Sequence, residues 1–287
     1  MNSFDTPQPI DITIDLAVGD ARITASDRTD TVATVRPTNE SKSADVTAAE
    51  ETRVDYVDGR LTVISPRSWR RFTPFDKSGS VQVSVEVPTG STLEASTSLG
   101  DIRVEGEIDR CRVKTAMGSI RVDDVGPLAL KTGYGDADVD RVRGDADIAT
   151  GSGALRVGTV DGEATVKNSN GGTSIDHVTG NVRVKAANGT ISIGRADASV
   201  DAKTAAGSID VGEVRRGVAV LRTAAGSLSC GIADGTAVNL DVRSNLGRIH
   251  SSLETTSGPA STDEVVELHA HTSVGDITLF RSSGRSS

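Results

Sequence analysis

The sequence predicts an all-β fold: a single-stranded parallel β-solenoid (β-helix) with coils of about 18 residues and an irregular β cap at its N-terminal end. Three observations carry that reading. Glycines recur at a nearly constant interval, apolar and polar residues alternate at fixed offsets from each glycine, and aromatic residues are scarce. Gly100, Gly118, Gly135, Gly153, Gly171, Gly189, Gly207 and Gly226 are separated by 18, 17, 18, 18, 18, 18 and 19 residues, and Gly247 and Gly275 extend the series after longer insertions.

Two residues after each glycine stands one column, Ile102, Ile120, Ala137, Leu155, Thr173, Ile191, Ile209 and Leu228, apolar except at Thr173. Two further on stands another, Val104, Val122, Val139, Val157, Ile175, Ile193, Val211 and Cys230, and polar residues such as Arg103 and Asp138 lie between the two. This alternation is that of a strand with one buried face. Half a period later a second glycine column (Gly126, Gly144, Gly162, Gly180, Gly217, Gly235) precedes pairs such as Leu128/Leu130 and Val182/Val184, so each unit carries two short strands. Val125, Val142, Val160, Val178, Ala196 and Val214 mark the corner between them.

Stacking one unit per coil places equal positions about 4.8 Å apart and makes every column a ladder of like side chains. It also accounts for the four Phe, two Tyr and one Trp in 287 residues. A narrow coil is filled by branched aliphatic side chains and has no room for large rings. Glycine at each sharp turn is expected to take a positive φ.

The ends depart from the period, and the chain divides on this basis into residues 1–90 (N-terminal β cap and entry strands), 91–250 (solenoid repeats) and 251–287 (closing strands and tail). Ile12, Ile14 and Leu16 alternate as a strand, Gly19 to Ile23 echoes the repeat, and Thr31 to Arg36 is another strand. A short helix fits Ser43 to Thr52, and a hairpin around Asp58-Gly59 fits Val54 to Ile64. Val81 to Val87 is a strand that ends at Pro88 and leads into the first coil. Val265 to Ala270 and Asp276 to Phe280 close the far end. Sealed ends predict discrete particles and not long polymers.

Units such as Gly118-Ser-Ile-Arg-Val, Gly207-Ser-Ile-Asp-Val and Gly275-Asp-Ile-Thr-Leu, with the run Val166-Lys-Asn-Ser-Asn-Gly171, resemble the bacterial β-strand-repeat family of unknown function often labelled putative adhesin. The resemblance covers about residues 10 to 280. It implies a β-solenoid and no catalytic residues to transfer.

Candidate chemistry is sparse. Cys111 and Cys230 occupy inward columns seven coils apart, roughly 30 Å, against the approximately 6 Å between Cα atoms that a disulfide allows, so both read as buried thiols. His269 and His271, with Glu267 at the same parity, share one strand face; this arrangement could hold a metal only weakly, and the reading is no metal and no cofactor. Gly133-Tyr-Gly-Asp-Ala-Asp138 approaches a calcium-binding turn, but its carboxylates do not recur in neighbouring coils. Lys114, Lys131, Lys167, Lys185, Lys203 and Arg222, broken by Ala149, form an outward line of cations. It is either a solvated row paired with acids such as Asp147 and Asp201 or a face for an acidic partner. Residues 66–75 hold Trp69, Arg70 and Arg71, which suit either a lid over the first coil or a contact site.

With a net charge of -9, the chain argues against nucleic acid as a partner. No apolar stretch approaches the roughly 20 residues that span a bilayer, and Met1 to Asp11 has no basic and then apolar leader pattern, so the expectation is a cytoplasmic protein with no membrane partner. The expected function is a non-catalytic β-solenoid scaffold or protein-interaction module, binding a protein or further copies of itself, with no small-molecule substrate evident. The alternative is a β-helix enzyme or adhesin-like module that binds polysaccharide; short turns and minimal coils weigh against an enzyme's cleft.

Overall fold

The structure is a computed structural model that describes residues 2–65, 79–253 and 265–282. The chain divides into two compact units, Met1–Arg141 and Val142–Ser287. Each is built on parallel β-solenoid coils.

The first unit opens with β1 (Asn2–Asp5), β2 (Asp11–Ser26), β3 (Asp30–Pro37), helix α1 (Ser43–Glu51), β4 (Arg53–Val57), β5 (Arg60–Ile64) and β6 (Val81–Pro88). It continues with β7 (Thr92–Leu99), β8 (Ile102–Ile108), β9 (Arg110–Met117), β10 (Ile120–Val125) and β11 (Leu128–Tyr134), and β12 (Ala137–Val142) runs to its boundary. β2 supplies a whole coil by itself. Ile12, Ile14 and Leu16 fill the core from its first half, and Ala21, Ile23 and Ala25 from its second. The bend between them is at Gly19, where φ is 148° and a Cβ would lie 2.2 Å from the Val81 carbonyl oxygen, so no other residue fits.

The coil made by β2 lies between β5 and β7 in one sheet (B) and between β6 and β8 in the other (A), parallel to all four. The echo of the repeat at Gly19–Ile23 is therefore a rung in register, with Ile23 opposite Val85 and Val104. Antiparallel strands finish this end: β4 pairs with β5 about Asp58 (φ 49°) and Gly59 (φ 77°), β3 pairs with β6, and β1 pairs with β3. Phe4 and Tyr56 meet here, with ring centroids 5.1 Å apart. Helix α1 is anchored by buried Asp45, which accepts the Ser80 N–H at 3.0 Å.

The second unit carries β13 (Ala146–Ser152), β14 (Leu155–Val160), β15 (Ala164–Asn170), β16 (Thr173–Val178), β17 (Val182–Asn188), β18 (Ile191–Ala196) and β19 (Val200–Ala206). Then come β20 (Ile209–Val214), β21 (Gly217–Ala225), β22 (Leu228–Ala233), β23 (Ala237–Leu246), β24 (Ile249–Ser251), β25 (Val265–Val274) and β26 (Ile277–Ser282). Registers such as Ala164↔Val182↔Val200↔Ala219 stack like columns as expected. The corner residues Val160, Val178, Ala196 and Val214 are 0% exposed.

The end of this unit differs from the sequence expectation. β25 and β26 lie directly on β21 and β22, while β23 and β24, earlier in the chain, form the outermost coil. The closing strands are therefore second from last. The chain overshoots by one coil and returns to fill the gap, so Gly275 precedes Gly247 in space.

Two further findings refine the columns. The positive φ expected of the turns holds along the first glycine column from Gly100 to Gly226, but in the second it holds at Gly217 and Gly235 and not at Gly126, Gly162 or Gly180. At these three a Cβ would come within 1.8–2.6 Å of backbone atoms, so close approach and not handedness selects glycine. A buried polar column also runs beside the first glycines: Thr115, Thr132, Thr204, Thr223 and Thr272 donate to Gly100, Gly118, Gly189, Gly207 and Gly226 carbonyls at 2.9–3.4 Å.

Candidate interaction face

Strand alternation turns every second side chain of sheet B outward, and the parallel register superimposes those side chains. In the first unit this places Lys131 on Lys114, followed by Ser96 and Asp15. In the second unit it stacks Lys167, Lys185, Lys203 and Arg222 after Ala149. The order of the last coils then extends that ladder through His271 to Arg243. Sequence reasoning missed these two members because they follow long insertions and stand in reverse spatial order.

Neighbouring carboxylates neutralise the ladder only in part. Lys203 pairs with Asp201 at 2.8 Å, and Arg183 approaches the same carboxylate at 3.6 Å. Asp147, the other expected partner, forms no ion pair with a ladder lysine among the described residues. Exposed Lys167, Lys185 and Arg222 likewise have no ion-pair partner among the described residues. Beside them lies an open depression of about 530 Å³ whose lining includes Glu163, Asn181, Arg183, Asp201, Lys203 and Arg222.

At the outer end of the ladder, His269 and His271 do share a face. His269 hydrogen-bonds Glu267 at 2.9 Å and Asp241 at 3.4 Å, and His271 hydrogen-bonds Asp241 at 3.2 Å. Partial burial pushes the Asp241 carboxyl up, but its hydrogen bonds to the histidines and the charge of Arg243 outweigh this and hold it below the ordinary carboxylate range. Among the described residues no group of three or more His, Cys, Asp or Glu side chains is arranged to hold a metal ion.

Elsewhere in the second unit, His177 hydrogen-bonds Asp197 at 3.0 Å. Each histidine that forms a side-chain hydrogen bond among the described residues thus uses a carboxylate and not a nucleophile. Cys111 and Cys230 are free and buried, their thiols pushed up to about 12 by desolvation, so neither is available as a thiolate. Trp69, Arg70 and Arg71 lie outside the described residues.

Fold and face together define a parallel β-solenoid repeat protein that presents a charge-striped sheet. The chain belongs to the Toastrack DUF4097 family, which it matches over residues 10–285. No curated protein matches it. Among solved structures it is similar to a putative adhesin from Parabacteroides merdae, with 15% identity, a TM-score of 0.44 and coverage of 80% of this chain and 94% of that one. It is also similar to a putative lipid binding protein from Parabacteroides distasonis, with 13% identity, a TM-score of 0.39 and coverage of 96% and 95%. A putative adhesin from Bacteroides fragilis gives 15% identity, a TM-score of 0.31 and coverage of 97% and 95%.

Proposed function

We propose that the protein is a non-catalytic scaffold whose second unit docks an extended acidic segment of a protein partner along the ladder of Lys167, Lys185, Lys203 and Arg222. The observation that carries this reading is that three of these four cations are exposed and lack an ion-pair partner among the described residues, on a backbone that holds them in register. An extended peptide repeats about every 3.3 Å per residue, so its same-side carboxylates, near 6.6 Å apart, reach successive rungs spaced about 4.8 Å through flexible lysine stems.

The test is fluorescence anisotropy of a labelled oligoglutamate peptide against the full chain and against the triple variant Lys167→Gln, Lys185→Gln, Arg222→Gln. Salt-sensitive binding that weakens about tenfold or more in the variant supports the reading. Equal binding by both proteins, or none by either, rejects it. Preference for an acidic polysaccharide over the peptide would favour the adhesin-like alternative.

A further inference from the structure

Among the described residues the outermost coil of the second unit ends in an open edge, where the sequence predicts a sealed one. Among the described residues β23 pairs with β25 and with no other strand. The Gly275 N–H donates to the Leu246 carbonyl oxygen at 2.9 Å, which fixes the phase of this parallel ladder. Even-numbered residues of β23 direct their backbone groups at β25, and Asn239, Asp241, Arg243 and Asn245 direct theirs outward. The apolar side chains are under-covered as well. Leu240 is 41% and Ile249 48% exposed, whereas their register partners one coil inward, Leu268 and Ile277, are both 0%. Free backbone groups beside apolar side chains are what a pairing strand recognises.

The sequence of β23, Ala-Val-Asn-Leu-Asp-Val-Arg-Ser-Asn-Leu, matches itself when read antiparallel about Val242. Asp241 then faces the second copy's Arg243, Asn239 faces its Asn245, and Val238 faces its Leu246. Each odd-numbered residue meets an odd-numbered one, so the outward backbone groups meet each other. Moving the centre to Asp241 or to Arg243 sets like charges directly opposite, which destabilises a strand pair.

We propose that two copies of this chain associate through β23, antiparallel about a two-fold axis at Val242. The join satisfies the outward backbone groups and covers Leu240. Because the same patch is used once on each copy, association stops at two. This contact uses the ladder's last member, Arg243, and none of the four cations proposed to hold the acidic segment, and it goes beyond the scaffold reading.

Sedimentation velocity on the full chain across the micromolar range tests it, with Arg243→Asp and Asp241→Arg as variants. Wild type is expected to dimerise. Each variant alone sets like charges opposite at both ends of the join and is expected to weaken the dimer by about tenfold or more. Mixing the two variants restores complementarity, because one chain then brings a pair of acids to the join and the other a pair of arginines, and a one-to-one heterodimer should appear. The double variant carrying both changes on one chain should regain the homodimer, so a folding defect in either single variant leaves the test intact. A wild type that stays monomeric, single variants that dimerise as wild type does, or failure of both the mixture and the double variant to associate would overturn the proposal.

Discussion

Asn168 interrupts the threonine column, and what it does there can be measured. In the regular coils these threonines donate to the glycine carbonyl one coil back, as Thr204 does to Gly189 and Thr223 to Gly207, with Thr150, whose buried hydroxyl has no partner, as the exception. By that rule position 186 should serve Gly171, but it is alanine. Asn168, the register partner of Ala186, covers the gap: its Nδ2 lies 3.2 Å from both the Gly153 and the Gly171 carbonyl oxygens. One amide with two N–H groups does the work of two hydroxyls. Asn168→Thr should keep the bond to Gly153 and leave the Gly171 oxygen without its donor, while Ala186→Thr should supply the missing hydroxyl. An orphaned buried carbonyl costs about 1–3 kcal/mol, so the two substitutions should be coupled by about 1–2 kcal/mol, with the double variant more stable than the singles predict. The unsatisfied Asn168 Oδ1 is lost in both Asn168→Thr proteins and cancels from the coupling. Urea unfolding of the four proteins measures it. Additivity within about 0.5 kcal/mol would refute the donor-sharing argument.

Other outcomes follow from the same geometry. Gly171→Ala, at φ 134° with a Cβ 2.1 Å from the Gly153 oxygen, should lose about 2–3 kcal/mol in urea unfolding, whereas Gly172→Ala, with nothing within 4 Å, should stay within about 1 kcal/mol of wild type; equal effects would contradict the turn assignment. Partial burial raises the Asp197 carboxyl, but hydrogen bonds from Arg195 and His177 outweigh it and lower its pKa. Its stabilisation is therefore full above the unfolded carboxylate range and is lost as pH falls through the folded value, below about pH 4. Asp197→Asn should flatten the acid limb of a stability–pH curve, and an unchanged limb would count against the network. With thiols pushed up to about 12, Cys111 and Cys230 should resist a thiol reagent at mildly alkaline pH until urea unfolds the chain.

The columns were legible because a parallel ladder makes each position answer to the same neighbours above and below, which a single sequence records as a period. Ile102, Val104 and Val125 could be placed in the core on that ground, and all three are essentially buried. Three features were not legible. The period orders coils along the chain and cannot show that residues 265–282 return inside residues 237–251, so His271 and Arg243 were not placed on the cation ladder. A threonine column reads as surface by composition, although Thr115 is 1% exposed, because its burial depends on a glycine carbonyl in another coil. Glycines at a turn look alike in sequence whether a positive φ or crowding selects them, which is why Gly126 and Gly118 could not be told apart.

The parallel register also sets the electrostatics of the cation ladder. In an antiparallel sheet a lysine can be set opposite an acid without changing any other pair, but here each outward residue stacks on its own equivalent, and repetition of a lysine brings repulsion of about 0.9 kcal/mol per step in water before screening. Lys203 shows the local remedy, an aspartate two residues earlier on the same strand at 2.8 Å. The equivalent positions beside Lys167 and Lys185 are Thr165 and Arg183, so β15 lacks the remedy and β17 adds a further positive charge. Solubility alone would be served as well by an alternation of signs from coil to coil, which would remove the repulsion. On the docking proposed above, a face that keeps its cations uncompensated gains most when an acidic strip arrives, since binding relieves the ladder's repulsion as it forms new attractions.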